Sequence, residues 1–478
     1  MRHRLDCGIL NVSTYFPSIT MNIQSIILLV IVIAVAGFVL YHYLHSDNKC
    51  SCCEGCDKDC CAKLLILLLL LPMNVLAQDK SLDGLQVLAY SNDSTRDVYR
   101  IPSIAKNKKG ELVAIYDYRA CGTDIGFGEV DQVMRISKNN GKKWSKEVKI
   151  ADGMGGNENV FGVGFGDPAL CLDRESGRGV LITVSGKCIY SYAKADHRPF
   201  IARQITTDGG HTWSDPEDIT TQFWGKAGSM FQQKETDDGM GVFAWAGFFG
   251  SGKILQSRVT KVGDYYRLYA ALLLRGTGLK GAYVVYSDDM GMNWQLLGSN
   301  PAFQAAPDSD EPKVEELSNG QIVLSGRKWY GRTFNIWTFA EGSTTKGSWD
   351  TPVNSHDVST GIKVGANSCN GEILIVKGKL VQNGKPCYVA LQSLPKADTR
   401  ADVSIFYKVL EDGRNYTSAA FAEGWKLGMQ VTKKRSAYST MCLQKDKRIA
   451  FFYEEEPYIY NMVYVPLTLK QATNGEVK

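Results

Sequence analysis

In the segment VYRIPSI, residues 98–104, an arginine stands among apolar residues. Ile101, Pro102 and Ile104 read as a chain entering a core, so Arg100 would fix a positive charge at that core's edge. A guanidinium stays charged at any working pH and matches a carboxylate in two-pronged geometry. The bland counterpart is an exposed ion pair, common and weak. Two acidic segments could also do chemistry. GTDIGFG is a glycine-rich stretch bearing Asp124, either a mobile carboxyl or an Asx turn. FFYEEE ends an apolar run in Glu454–Glu456, either one inward carboxylate or a solvated acidic cluster. Beyond residue 78 the histidines are His197, His211 and His356, and no two have metal-ligand spacing. Serine-, cysteine- or metal-based hydrolysis therefore has little support.

The elements that must position these groups are strands. From Gln78 onward no long amphipathic helix is legible, and short β-like runs recur, among them GELVAIYDY, RGVLITVSG, GAYVVYSD, ADVSIFYKV and RIAFFYEEE. One string repeats in degenerate form: SKNNGKKW (137–144), TTDGGHTW (206–213) and SDDMGMNW (287–294), with VLEDGRNY (409–416) a weak fourth copy. Its physics is a turn, in which Asp or Asn bonds nearby amides, Gly takes a positive φ and Trp packs into the sheet. Asn139, Asp208 and Asp289 are accordingly structural rather than catalytic. Repeated hairpins over about 400 residues, at sixty-odd per blade, imply an all-β propeller of six four-stranded antiparallel blades.

The 478 residues carry a net charge of +4 and 22% charged side chains, and no basic run interleaved with aromatics suggests nucleic acid. Residues 1–77 differ in kind. After a leader of unknown role (1–20) comes SIILLVIVIAVAGFVLY (25–41), about the minimum length for a membrane span, within a segment 21–45. Residues 46–62 hold six cysteines in the string CSCCEGCDKDCC, in no established zinc spacing. Residues 63–77 have the form of a secretory signal with cleavage after Ala77. Residues 21–61 resemble short Cys-rich membrane proteins associated with ferrous-iron transporters, which suggests two joined reading frames or a true membrane-anchored N-terminus. The expected location is extracytoplasmic, and no cofactor or metal is expected.

Across about residues 85–470 of the propeller domain expected at 78–478, the turn boxes and YRIP, DYRACGTD, GDPAL, DEPKVEELSNGQIVLSGR, DTRADVSIFY, SAYST and FFYEEE occur in one order. In that order they resemble the Asp-box exo-α-sialidases (neuraminidases), especially those of Bacteroides-type bacteria. The resemblance implies that Arg100, Arg327 and Arg400 clamp the carboxylate of a terminal sialic acid and that Glu454 orients Arg100. It makes Tyr438 the nucleophile, Glu311 its base and Asp124 the acid/base, a role that calls for a carboxyl raised by burial or negative neighbours. Arg119 and Asp167 would bind substrate, on the O4 side of the ring, with Asp131 a weaker candidate. The sequence departs from the family at Asn139, at Asp310 where Asn is usual, and in a longer stretch between Arg400 and Tyr438.

The implied activity is hydrolysis of terminal α-linked sialic acids from glycoproteins, gangliosides and oligosaccharides by a monomer. Trans-sialidase or intramolecular trans-sialidase chemistry would use the same residues. A sialic-acid-binding propeller without catalysis would be expected to have lost Tyr438, Glu311 or Asp124, and all three are present.

Overall fold

A run such as Leu112–Tyr118 (LVAIYDY) is apolar at nearly every position, which a strand with one wet face would not be. Both faces must be covered. The computed structural model describes residues 82–92, 94–232, 243–457 and 459–478, and in it the alternate residues of this strand serve different cores. Ala114 and Tyr116 pack with Phe452 and Tyr464, whereas Val113 and Ile115 pack with Leu170 and Leu181. The expected span at 25–41, the Cys-rich segment and the signal-like segment lie outside the described residues. Among the described residues no helix is long and apolar enough to cross a membrane.

Six sheets follow one another along the chain. Blade one consists of Tyr99–Lys106, Leu112–Tyr118, Asp131–Ser137 and Val148–Ala151. Blade two is Phe165–Leu172, Gly179–Ser185, Phe200–Thr206 and Glu217–Asp218, to which Gly252–Lys253 adds in parallel. In blade three Phe243–Phe249 and Leu255–Val262 share the long strand Tyr265–Thr277, followed by Leu279–Ser287 and Gln295–Leu296. Blade four is Asp310–Glu316, Ile322–Lys328, Gly331–Phe339 and Gly347–Trp349. Blade five is Ile373–Lys379, Pro386–Pro395, Val403–Leu410 and Lys426–Gln430. Blade six takes Ser436–Leu443, Ile449–Glu455 and Asn461–Leu467 from the C-terminal end and Gln86–Ala89 from the other. That last pairing closes the ring with a strand remote in sequence. The six largest apolar clusters are the six blade-to-blade interfaces, so the core is a ring of wedges between sheets.

In addition to a break between Ala244 and Ala246 of blade three, four innermost strands carry a break in register near their first residues. The slips fall between Arg100 and Ser103, Gly166 and Ala169, Asp310 and Lys313, and Ser436 and Ser439. In three of them the bulged residue precedes a proline and has a positive φ: Ile101 (58°), Asp167 (56°) and Glu311 (23°). Proline cannot donate to the ladder, so Pro102, Pro168 and Pro312 suit the point where pairing lapses. A bulge re-aims the side chains beside it. All four bulges lie on the same face of the propeller, because each blade enters its innermost strand from that side.

The box turns occupy the opposite face, after the third strand of their blades. Asp208 Oδ1 accepts from the Thr206 hydroxyl (2.8 Å) and from the amides of His211 and Thr212 (both 3.0 Å). Asn139 and Asp289 repeat the pattern with Lys143 and Asn293. The weak fourth copy differs: its Gly413 amide bonds Ser318 of the neighbouring blade. These hydrogen bonds hold the Asp208 carboxyl down at about 2 against a burial effect that opposes them. Its stabilisation is therefore complete above about pH 4 and fades as pH falls towards 2. Asp208→Ala should cost about 1–2 kcal/mol of stability near neutral pH, measured by urea unfolding, and should leave ligand binding on the opposite face unchanged.

Candidate active site

The bulges aim their neighbours into one place. Arg100, on the first strand of blade one, makes a two-pronged pair with Glu454 of blade six, Nε to Oε1 at 2.7 Å and Nη2 to Oε2 at 3.1 Å. Glu454 is fully buried and also accepts the amides of Ile101 (2.8 Å) and Tyr438 (3.1 Å). One carboxylate thus fixes an arginine and two bulged strands. Of the three consecutive glutamates it is Glu454 that points inward; Glu455 pairs with Lys434 and the Tyr453 hydroxyl.

Tyr438 lies between the arginines. The Arg100 guanidinium carbon is 5.4 Å from its ring centre and that of Arg400 is 5.5 Å from it. Its hydroxyl donates to Glu311 Oε1. Arg327 Nη1 donates to Glu311 Oε2 at 2.8 Å and reaches the tyrosine oxygen at 3.4 Å, while its Nε donates to Ser368 at 2.8 Å. Arg400 belongs to the loop before Val403–Leu410, and its carbonyl accepts the Ser436 amide at 2.9 Å. The long stretch between Arg400 and Tyr438, which includes the outer strand of blade five, is looped out without separating the two.

Burial first, then the Glu311 charge, pushes the Tyr438 phenol well above its ordinary value. Burial would raise Glu311 too, but Arg327 and the Tyr438 hydrogen bond outweigh it and hold the carboxyl below its usual range. The resting state is a neutral phenol hydrogen-bonded to a carboxylate, with two guanidinium groups over the ring.

Arg119 organises a second group. It is almost fully buried and contacts three aspartates: Asp117 at 3.1 Å, Asp124 at 2.9 Å and Asp167 at 3.8 Å. Burial and the neighbouring Asp117 and Asp124 raise Asp167 well above the carboxylate range, and burial lifts Asp117 to about 6 in spite of Arg119. The two groups share one electrostatic site, since Arg100 disfavours the charge on Arg119 and Glu311 contributes to the rise of Asp167.

Of the burial or negative neighbours expected around an acid/base, Asp124 lacks the burial, with its side chain 59% exposed, and has Asp117 and Asp167 beside it. The loop is anchored instead through Ile125, which packs against Val184, Phe248 and Leu273 of blades two and three, and through Gly126, against the backbone of Cys188. Asp131 is structural: it is buried, accepts the Gly153 amide and pairs with Lys149. Sequence reasoning passed over Asp117, Tyr460 and Ser368. Asp117 had a signal, since strand alternation puts 117 and 119 on one side. Tyr460, whose ring lies 5.1 Å under Arg100, and Ser368 had none. The six cysteines of the described residues are free thiols.

No family model matches the chain. A sialidase of Micromonospora viridifaciens is 28% identical over 242 residues, 48% of this chain and 32% of that protein. A sialidase of Bacteroides fragilis is 23% identical over 248 residues, 50% and 41% of the two chains. The chain thus spans a third to two fifths of the length of these two relatives. Among solved structures, the intramolecular trans-sialidase from Ruminococcus gnavus, in complex with oseltamivir carboxylate, superposes with a TM-score of 0.60 at 15% identity, covering 83% of this chain and 99% of that one. The likeness of residues 21–61 to Cys-rich membrane proteins is not borne out by these comparisons. In sequence, over about half its length, the chain is similar to bacterial sialidases, and in fold it is similar to the solved trans-sialidase.

Proposed function

We propose that this chain is a retaining exo-α-sialidase that removes terminal α-linked sialic acids from glycoproteins, glycolipids and oligosaccharides. The observation that carries the reading is the meeting of three guanidinium groups around a phenol already hydrogen-bonded to a carboxylate. A sialic acid bears its carboxylate on the anomeric carbon, so the cations that grip the acid also place the reacting centre over Tyr438. A carboxylate nucleophile would be repelled there; a neutral phenol is not.

In the first step the Asp124 carboxyl gives a proton to the leaving glycosidic oxygen as the glycosidic bond breaks and the Tyr438 oxygen bonds to the anomeric carbon. The phenolic proton passes along the existing hydrogen bond to Glu311. In the second step Asp124 takes a proton from water, the water oxygen replaces tyrosine, and Glu311 returns its proton. Two inversions give retention. The exposure of Asp124 suits a carboxyl that the incoming glycan itself covers. Arg119 and Asp167 would bind ring hydroxyls. A place outside the cytoplasm fits such substrates and rests on the signal-like residues 63–77.

Tyr438→Phe and Asp124→Ala should each lower turnover of a fluorogenic sialoside by roughly 10²–10⁴-fold, with the fold intact by circular dichroism. Unchanged turnover in Tyr438→Phe would refute the nucleophile, and the mass of the released sugar separates hydrolysis from intramolecular transfer. Glu454→Gln tests the clamp. Without the carboxylate, Arg100 loses a buried partner, at a cost of about 3–5 kcal/mol in unfolding free energy, and KM should rise more than kcat falls.

A further inference from the structure

The turn between the second and third strands of blade four carries two aromatic side chains that this chemistry does not use. Lys328 pairs with Gly331, leaving Trp329 and Tyr330 as a two-residue loop on the face that bears the site. Trp329 is 57% and Tyr330 48% exposed, and their ring centres lie 6.3 Å apart. Blade three makes the same turn, with Gly276 paired to Leu279 around Thr277 and Gly278. There the second loop position is glycine at φ 67°; in blade four it is Tyr330 at φ 65°. A turn with positive φ at that position selects glycine or asparagine, and a bulky residue there is a costly exception. Blade four therefore holds two large rings in water on a backbone that opposes one of them.

The turn is also fixed to the site. The Tyr330 amide donates to the Asn367 carbonyl (3.2 Å), and the Val364 amide to the Tyr330 carbonyl (3.0 Å). The next residue of that loop is Ser368, the partner of Arg327. A Cβ on Gly331 would come within 2.5 Å of the Ser355 hydroxyl, so the hairpin sits tightly on its blade. Trp329 follows Arg327 by two residues, about 7 Å along a strand, the reach of a single sugar unit.

We infer that Trp329 and Tyr330 form a stacking platform for the neutral sugar that precedes the terminal acidic sugar of the substrate. The inference rests on the reading of the site given above. The clamp accepts only the acidic sugar, and the rest of the glycan leaves through the open face. A pyranose has an apolar C–H face and a polar edge, and an exposed ring with a polar rim matches both. Lys328 and His356, whose ring lies 6.1 Å from that of Tyr330, supply such a rim.

Methyl α-sialoside and sialyllactose, turned over by the full chain, test this directly. In Trp329→Ala, kcat/KM for sialyllactose should fall roughly five- to tenfold, through KM, while methyl sialoside changes by less than about twofold. Tyr330→Gly should lose sialyllactose selectively and melt at or above the wild-type temperature, because it restores the residue the turn prefers. Equal losses on both substrates, or none on sialyllactose, overturn the platform alone. No turnover of either substrate by the unmodified chain overturns the reading of the site, and the platform with it.

Discussion

Like charges have to be held together for this site to exist. Arg100, Arg327 and Arg400 converge on one phenol, and without compensation their repulsion and desolvation would drive them outward. Two carboxylates prevent this. Glu454 saturates Arg100 and two backbone amides, and Glu311 takes Arg327 on one oxygen and the Tyr438 hydroxyl on the other. Arg400 has no such partner at ion-pair distance among the described residues, and it is the guanidinium most available to an incoming anion. The site is poised for one more negative charge.

Six radial sheets supply the scaffold because their innermost strands all begin on one face. The bulges convert that common edge into a common focus. A left-handed residue before proline is an unfavourable backbone state, and Ile101, Asp167 and Glu311 all adopt it. What holds them there is burial: the ring of apolar wedges between blades fixes each strand on both sides. Polar ties across the centre add to this. Lys253, on the parallel strand appended to blade two, reaches Glu315 of blade four at 2.6 Å and the Ile373 carbonyl of blade five at 2.8 Å.

The two faces of the propeller divide the labour. On one, box turns satisfy themselves through Asn139, Asp208 and Asp289 and need nothing from solvent. On the other, the connections converge charged side chains on one site and display aromatic rings such as Trp329. An aspartate closing its own turn is held low and inert, whereas Asp167, buried among other carboxylates, is driven up.

The sequence by itself determined the class of fold and most of the charged and aromatic groups that meet at the site. Strand periodicity, box turns and the order of YRIP, GDPAL and DEPK are local signals, written in residues that act on their near neighbours. Tertiary structure alone decided which charges meet. Glu454 rather than Glu455 or Glu456 faces Arg100, because the pairing of Glu455 with Asn461 and Ser436 sets which side chains turn inward. Asp124 stays exposed because Ile125, not the aspartate, found an apolar pocket. Ser368 and Tyr460 join the site from positions whose neighbours in sequence say nothing of it, and Asp117 does so on no more than its alternation with Arg119. Long-range electrostatics depends on distances through space, and only the closed ring of blades, sealed by a strand from the other end of the chain, sets those distances.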